Sequence, residues 1–283
     1  MTSNISAFTV DVEDGVSIAM RDAFGLDSPQ TDRVVHNTRR ILRLMEKYEV
    51  KGTFFVLGRV GTDFPYLVKE IHSSGHEIGV HGNNHITFNK LNPARAFTEI
   101  SEAKAILENI IGESVIGHRA PAFSITPETS WALETVKEAG FQYDSSILPV
   151  SFGTFCWPGA NEDFYRVPLK NHDSLIEVPI SVVKIFGKKF PFSGGSYFRL
   201  LPWPVFSRFF KLGLNKRPQI FYMHPYEVDF QTYPDYYMTE YSKSSYINKV
   251  KLKSTKWRRE SVEVRLSNLF ENYCFTSIRN LLD

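Results

Sequence analysis

The sequence predicts an α/β protein built on a parallel sheet, and three observations carry that prediction. Short apolar runs alternate with helical patterns through the first half of the chain, as strand–helix units require. Capping and turn residues punctuate the alternation at the element ends. Polar clusters stand at the ends of the apolar runs, where parallel α/β sheets place their sites. On these grounds a barrel and an open doubly wound sheet fit equally well.

Ala7-Phe8-Thr9-Val10 reads as a buried strand running into the acidic cluster Asp11-Val12-Glu13-Asp14. Apolar residues from Arg33 to Tyr48 recur at helical spacing, and Lys51-Gly52 ends that helix before the strand Thr53–Leu57. Asp63 is positioned to cap a helix reaching Ser74, with Gly75 as its stop. Glu77–His81 is the third strand, and a helix from Pro93 to Ile110 opens after Asn92. Strand Val115–His118, helix Pro127–Ala139 and strand Gln142–Asp144 complete the alternation. Between about 145 and 218 the helical pattern fades into Pro-, Gly- and aromatic-rich stretches, read as long loops and hairpins over the sheet. Ile220–His224 is one more strand, a basic stretch follows it, and Ser261–Leu282 reads as a closing helix with Val264, Leu266, Leu269 and Phe270 as its stripe. No repeat or linker demands a second domain, so residues 1–283 are expected to form one unit, with a C-terminal extension from about 227.

Composition narrows the class. The 283 residues are 42% hydrophobic and 23% charged, which excludes disorder, collagen and coiled coil. Lys and Arg number 33 against 31 Asp and Glu, a net charge of +2 that argues against nucleic acid as a partner. Aromatics reach 14%, enough for a thick core or for faces that stack on sugar rings. Cys156 and Cys274 match no metal or redox spacing. With no basic, apolar leader in Met1–Ser6 and no long apolar run, the expectation is a soluble, cytoplasmic protein.

His81 and His85 stand at i and i+4, a spacing that on one helical turn aims both imidazoles at a single divalent ion. A carboxylate must complete the set, and Asp14 sits at a strand end that can supply it. Two His and an Asp with open positions suit Zn²⁺, and Fe²⁺ or Co²⁺ also fit the ligand types. Read blandly, the histidines are ordinary surface or core residues and the acidic cluster a solvated turn. Arg119 is either a surface charge or the bidentate holder of a catalytic carboxylate. His224 closes an apolar strand, where a capping or core histidine is the usual reading.

In order, Asp11–Asp14, His81–His85, Arg119-Ala120-Pro121-Ala122-Phe123, Asp144 and His224 resemble the motifs of the polysaccharide deacetylase family with the NodB homology domain, carbohydrate esterase family 4. The resemblance runs from about residue 7 to 226. It is nearest to a subgroup with an Asp-Val-Glu-Asp first motif and a Gly-Gly-x-Tyr-Phe-Arg stretch, here Gly194–Arg199. It implies a distorted (β/α)7 barrel, with loop and hairpin elaborations and a C-terminal helix. It also implies a hydrolase that removes acetyl groups from amino sugars in bacterial cell-surface glycans or their lipid-linked precursors. By the same resemblance Asp11 is the general base, Asp14, His81 and His85 hold the metal, Arg119 steadies the base, His224 is the general acid, and Asp144 supports it. Val12 and Glu13 separate two aspartates that are adjacent in the family, which makes Glu13 a rival for the base. Gly82 stands where Ser or Thr is usual. Pro121 and Phe123 would line the substrate site; the fourth motif lacks its Trp, so Trp157, Phe155 or Tyr197 must supply part of the acetyl pocket. A cyclic-amide or O-acetyl hydrolase, and a sugar-binding protein without catalysis, are the alternatives. Lys249, Lys251, Lys253, Lys256, Arg258 and Arg259 follow with no acidic residue among them. They read as a solvated loop, or as a peripheral contact with an anionic membrane surface with Trp257 as anchor.

Overall fold

The computed structural model describes residues 5–283, leaving aside the side chains at 247, 251, 254 and 255. Met1–Asn4 and the Lys251 side chain therefore lie outside the described residues. The strands are β1 (Ile5–Val12), β2 (Thr53–Val56), β3 (Glu77–Val80), β4 (Gly117–His118), β5 (Tyr143–Asp144), β6 (Tyr165–Pro168), β7 (Ser174–Glu177), β8 (Val182–Ile185), β9 (Lys188–Pro191), β10 (Ile220–Met223) and β11 (Cys274–Thr276). Seven lie parallel in the order β10-β1-β2-β3-β4-β5-β7, with β6 antiparallel on the outer side of β7. β11 runs beside the first residues of β1, and β8 and β9 form a separate hairpin. With helices packed between the strands, this is the expected distorted (β/α)7 barrel.

The distortion is the seam between β7 and β10, which form no ladder with each other. Single hydrogen bonds bridge it instead. The Ile220 N–H donates to Ser181 Oγ at 2.7 Å, and the Tyr222 N–H donates to the Ser193 carbonyl at 3.1 Å. Gly194 then lies flat against Tyr222, where a Cβ would collide with the Tyr222 carbonyl oxygen. That close approach explains the first glycine of Gly194–Arg199.

The high aromatic content serves the core. Phe8 on β1 packs against Phe221 at 5.2 Å, Phe270 at 5.0 Å and Phe275 at 5.8 Å between ring centroids. Residues far apart in sequence thus close one wall of the barrel around the strand that carries the acidic cluster. Each such ring removes ~150–250 Å² of surface from water.

Several expectations are corrected. Asp63 ends a helix, Gly58–Asp63, rather than capping one, and the next helix, Pro65–Ser73, starts on a proline already fixed in helical φ. Asp14 opens an unforeseen helix, Gly15–Phe24, which Gly25 closes in the left-handed conformation. The segment 145–218 holds two helices besides its hairpins, Gly195–Leu200 and Trp203–Leu214. Phe206, Phe210 and Gly213 gave the latter a helical stripe that the surrounding prolines obscured. The basic stretch is a helix, Tyr246–Lys256, not a loop. The closing helix is interrupted: Val262–Asn272, then β11, then Ile278–Leu282. Its buried stripe is Val262, Leu266, Leu269 and Phe270, while Val264 is 65% exposed.

Two substitutions test this packing. Phe8→Ala is expected to cost ~3–5 kcal/mol, and Gly194→Ala ~1–3 kcal/mol by forcing the seam apart. Urea midpoints would show both losses; an unchanged midpoint for either variant would remove the role assigned to that residue.

Candidate active site

Side chains alternate across a strand, so Thr9, Asp11 and Glu13 point one way from β1 and its end while Val12 points the other. The same alternation turns Asp14 aside. Its Oδ1 accepts from the Val16 N–H at 3.0 Å and its Oδ2 from the Thr31 N–H at 2.6 Å, capping the helix and pinning the following loop. Burial outweighs these bonds and raises the Asp14 carboxyl above its ordinary range. The role of metal ligand expected for Asp14 is therefore corrected, because both of its oxygens are committed to backbone.

Glu13 takes that place. Its Oε2 lies 2.7 Å from His85 Nε2 and 3.6 Å from His81 Nε2, and the three residues are buried together. Neither contact has hydrogen-bond geometry, so Oε2 is a buried oxygen without a hydrogen-bond partner. Burial alone would raise the Glu13 carboxyl, but the imidazoles of His85, His81 and His224 hold it well below the usual carboxylate range. One ligand atom from each residue falls within 4.8 Å of the others, so Glu13, His81 and His85 form a possible metal site of the kind that suits a divalent ion.

The two histidines do not meet on a helical turn, as their spacing suggested. Residues 81–85 form a loop with left-handed backbone at Gly82 (φ 78°) and His85 (φ 56°). A left-handed histidine is strained, and strain of this kind gathers at functional sites. Glu99 pins the loop by accepting from the backbone N–H groups of Asn83 and Asn84 at 3.2 and 3.1 Å. His81 Nδ1 lies 2.9 Å from the Arg119 carbonyl and must donate there, which leaves a lone pair on its Nε2 for a metal. His85 differs, because Arg21 Nη2 lies 2.8 Å from its Nδ1 and can only donate. In this arrangement the proton of His85 sits on Nε2, so ligation requires it to leave that nitrogen and Arg21 to adjust.

Asp11 faces this cluster from a different partner set. Arg119, with no exposed surface, donates through Nη1 to Asp11 Oδ1 at 2.8 Å and to Thr9 Oγ1 at 2.7 Å. Its Nε and Nη2 go to the Ser145 carbonyl and Oγ at 3.1 and 2.9 Å. The pairing with Asp11 is thus through one nitrogen, not bidentate, and the other nitrogens fasten β1 to the end of β5. Asp11 Oδ2 lies 3.9 Å from His224 Nε2, and Glu13 Oε1 lies 3.7 Å from that nitrogen.

Behind His224 stands Glu227, which the sequence reading missed. Its Oε1 lies 2.9 Å from His224 Nδ1 and accepts from the His224 backbone N–H at 3.1 Å. Spacing was the available signal: a Glu three residues after His224 at the start of a short helical turn is a capping pattern. Arg199, the last residue of the Gly-Gly-x-Tyr-Phe-Arg stretch, donates to Glu227 Oε2 at 3.2 Å and to the Trp257 carbonyl at 2.9 Å. Tyr226 stacks on His224 at 4.8 Å. Burial lowers the His224 pKa, but Glu227, Glu13 and Asp11 outweigh it and push the pKa up to about 9.

The remaining candidates divide. Asp144 is not beside His224; it is fully buried, with Oδ1 at 2.6 Å from His118 Nδ1 and accepting from Ser146 Oγ at 2.8 Å. Its support role passes to Glu227. Phe123 is half-buried at the site, edge-on to Tyr222 at 4.9 Å and 5.7 Å from the Arg119 guanidinium. Pro121 is buried beneath Gly82. Tyr197 is 39% exposed and close enough to Tyr222 to act on it electrostatically. Trp157 instead packs on the main core, its N–H donating to the Leu148 carbonyl, and Phe155 is half-buried in the same loop.

Residues 27–143 match the family model described as polysaccharide deacetylase. That stretch resembles a polysaccharide deacetylase domain. Residues 145–283 match the model described as a domain of unknown function, DUF3473. Of the clustered residues, His81, His85 and Arg119 come from the first stretch, His224 and Glu227 from the second, while Asp11 and Glu13 precede both. The peptidoglycan-N-acetylglucosamine deacetylase of Bacillus cereus is 32% identical over 126 residues, covering 44% of this chain and 43% of that protein. The chain thus spans less than half the length of that relative. Among solved structures, an allantoinase (Puue) superimposes with a TM-score of 0.55 at 20% identity, covering 78% of each chain. A carbohydrate esterase family 4 pseudoenzyme from Bacillus anthracis covers 99% of this chain and 66% of its own, with a TM-score of 0.53 and 16% identity. The fold alone therefore accommodates both hydrolases and an inactive relative, and the choice rests on side chains.

Two outcomes are expected of this geometry. Glu13→Gln should weaken Zn²⁺ binding by at least ~100-fold, while Asp14→Asn leaves it within ~10-fold; calorimetric titration giving the opposite order would return the ligand role to Asp14. In the metal-free protein His224 should titrate near 9, and Glu227→Gln should bring it down toward the ordinary 6.5. Protonated His224 stabilises the fold fully below pH 6.5, and that contribution is lost as the pH rises through about 9. A histidine NMR titration unmoved by Glu227→Gln would contradict the assignment.

Proposed function

We propose that this protein is a metal-dependent hydrolase that removes the acetyl group from an N-acetylated amino sugar in a bacterial cell-surface glycan or its lipid-linked precursor. The observation that carries this reading is the placement of Asp11 and His224, 3.9 Å apart beside the Glu13–His81–His85 cluster. One carboxylate held by an arginine and one imidazole held by a carboxylate give separate groups for accepting and donating a proton. The named activity of the Bacillus cereus relative supports the same reaction.

The orphaned Glu13 Oε2 and the free lone pair of His81 fit a divalent ion, with Zn²⁺ preferred and Fe²⁺ or Co²⁺ acceptable. When bound there, such an ion supplies Lewis acidity, polarising the acetyl carbonyl and making water easier to deprotonate. The chain supplies the proton handling. Asp11 accepts the proton of the attacking water, with Arg119 and Thr9 fixing its orientation. Water oxygen adds to the carbonyl carbon and the C–N bond breaks. His224 donates from Nε2 to the departing nitrogen, since an amide nitrogen leaves poorly unless protonated. Its raised pKa keeps it charged at neutral pH, which suits an amine leaving group more than the alkoxide of an ester. Acetate and a free amino sugar result. Phe123, Tyr197 and Tyr222 offer aromatic faces for the sugar ring. Glu13 in the ligand position agrees with the subgroup carrying the Asp-Val-Glu-Asp motif, because in this chain Val12 lets Glu13 share the strand face of Asp11.

Acetate release from N-acetylglucosamine oligomers, peptidoglycan fragments and lipid-linked amino sugars tests the reading, with allantoin as the competing cyclic amide. Asp11→Asn and His224→Ala should each lower turnover by ~10²–10⁴-fold. A zinc-loaded protein that hydrolyses allantoin but releases no acetate, or turnover indifferent to Asp11→Asn, would overturn it.

A further inference from the structure

The helix Tyr246–Lys256 turns apolar side chains toward water. Its buried contact is Leu252, grouped with Val16, Met20 and Tyr237. On the opposite side Tyr246 is 81% exposed, Val250 50% and Trp257, one residue past the helix end, 63%. At about 100° per residue these positions and exposed Lys253 fall within roughly 60° of one another, one stripe along the helix. Isolated exposed apolar residues need no explanation, but an aligned stripe does.

The charge along this helix and its end has one sign, with Asp22 the acidic neighbour across the cavity that Asn248 and Leu252 line. From Tyr246 to Arg259 there are six basic residues and no acidic one. Two of them turn inward: Lys256 Nζ lies 3.5 Å from the centre of the Tyr233 ring, and Arg259 is buried. Lys253 is exposed, Lys249 reaches the Ser242 carbonyl at 2.7 Å, and Arg258 is half-buried. Aromatic and aliphatic side chains flanked by lysines on one helix face fit the boundary between lipid headgroups and acyl chains. No helix among the described residues is long and apolar enough to cross a membrane, so the contact would be peripheral.

The helix also sits beside the active site. Asn248 and Leu252 line a cavity of about 300 Å³ with Gly15, Ile18, Ala19 and Tyr226, and Tyr226 stacks on His224. Arg199 holds both the Trp257 carbonyl and Glu227. We propose that the stripe Tyr246–Val250–Lys253–Trp257 rests on an anionic lipid surface and holds the active site beside a glycan carried on lipid. The lipid-carried substrate rests on the function proposed above; the surface contact does not.

Sedimentation of the full chain with vesicles tests the contact, using equimolar phosphatidylglycerol and phosphatidylcholine against phosphatidylcholine alone, at low and high salt. Wild type should bind the anionic vesicles, more weakly at high salt, and should not bind the neutral ones. Lys249→Gln with Lys253→Gln should weaken binding by about thirtyfold, and Tyr246→Ser with Trp257→Ser should weaken it at both salt concentrations. Circular dichroism and a urea midpoint equal to that of wild type would show each variant to be folded. Wild type that stays in the supernatant, equal binding by all variants, or self-association through this face without vesicle binding would overturn the proposal. Failure to deacetylate any sugar would leave the vesicle result standing and count only against the enzymatic reading.

Discussion

Arg119 is a guanidinium with no exposed surface whose nitrogens join three pieces of the barrel. It reaches Thr9 and Asp11 at the end of β1, and both the carbonyl and hydroxyl of Ser145 just beyond β5. Phe55 covers one face of it at 4.2 Å. A buried charge of this kind is tolerated only when its hydrogen bonds are filled, and removing one partner costs ~3–5 kcal/mol. The orientation of Asp11 therefore follows from the packing of the barrel mouth. His81 is tied to the same residue through the Arg119 carbonyl, so Asp11 and the His81 imidazole share one anchor.

His224 depends on a second line of contacts from the other end of the chain. Glu227 fixes its Nδ1, and Arg199 steadies Glu227 while holding the carbonyl of Trp257. The Gly-Gly-x-Tyr-Phe-Arg stretch thereby acquires two separable physical roles. Gly194 lets the backbone close the seam against Tyr222, and Arg199 carries charge inward to the histidine support. The segment matched by the second family model contributes β7 and β10 to the same sheet as the first. Its strands complete the barrel, and its C-terminal helices cover the side of the site where Tyr226 stacks.

Much of the frame was legible in the sequence because local rules governed it. Alternating strands and helices, the Asn92 cap and the stop at Gly75 are set by neighbours in the chain. The residues that the sequence singled out, Asp11, His81, His85, Arg119 and His224, do lie together at one end of the barrel. The site was misread where two local rules competed. Asp14 looked like the ligand because it stands at a strand end and matches the family motif, yet a strand's period of two places Glu13 on the face of Asp11 and leaves Asp14 to cap a helix. The i, i+4 spacing of His81 and His85 suggested a helical turn, whereas a left-handed loop brings them together.

By itself, the sequence determined the α/β class, the first five strands and the strand at Ile220–Met223, and the residue types able to handle a metal and a proton, since periodicity and side-chain chemistry do not depend on distant contacts. Only the tertiary structure decided which carboxylate serves which histidine. Glu227 supports His224, Asp144 is drawn instead to His118, and Trp157 packs half-buried against the core. Those pairings are settled by which strand ends converge at the barrel mouth and by how the β7–β10 seam closes. Both depend on contacts between residues far apart in the chain, such as Arg119 with Asp11 at the mouth and Ile220 with Ser181 at the seam, which no local pattern records.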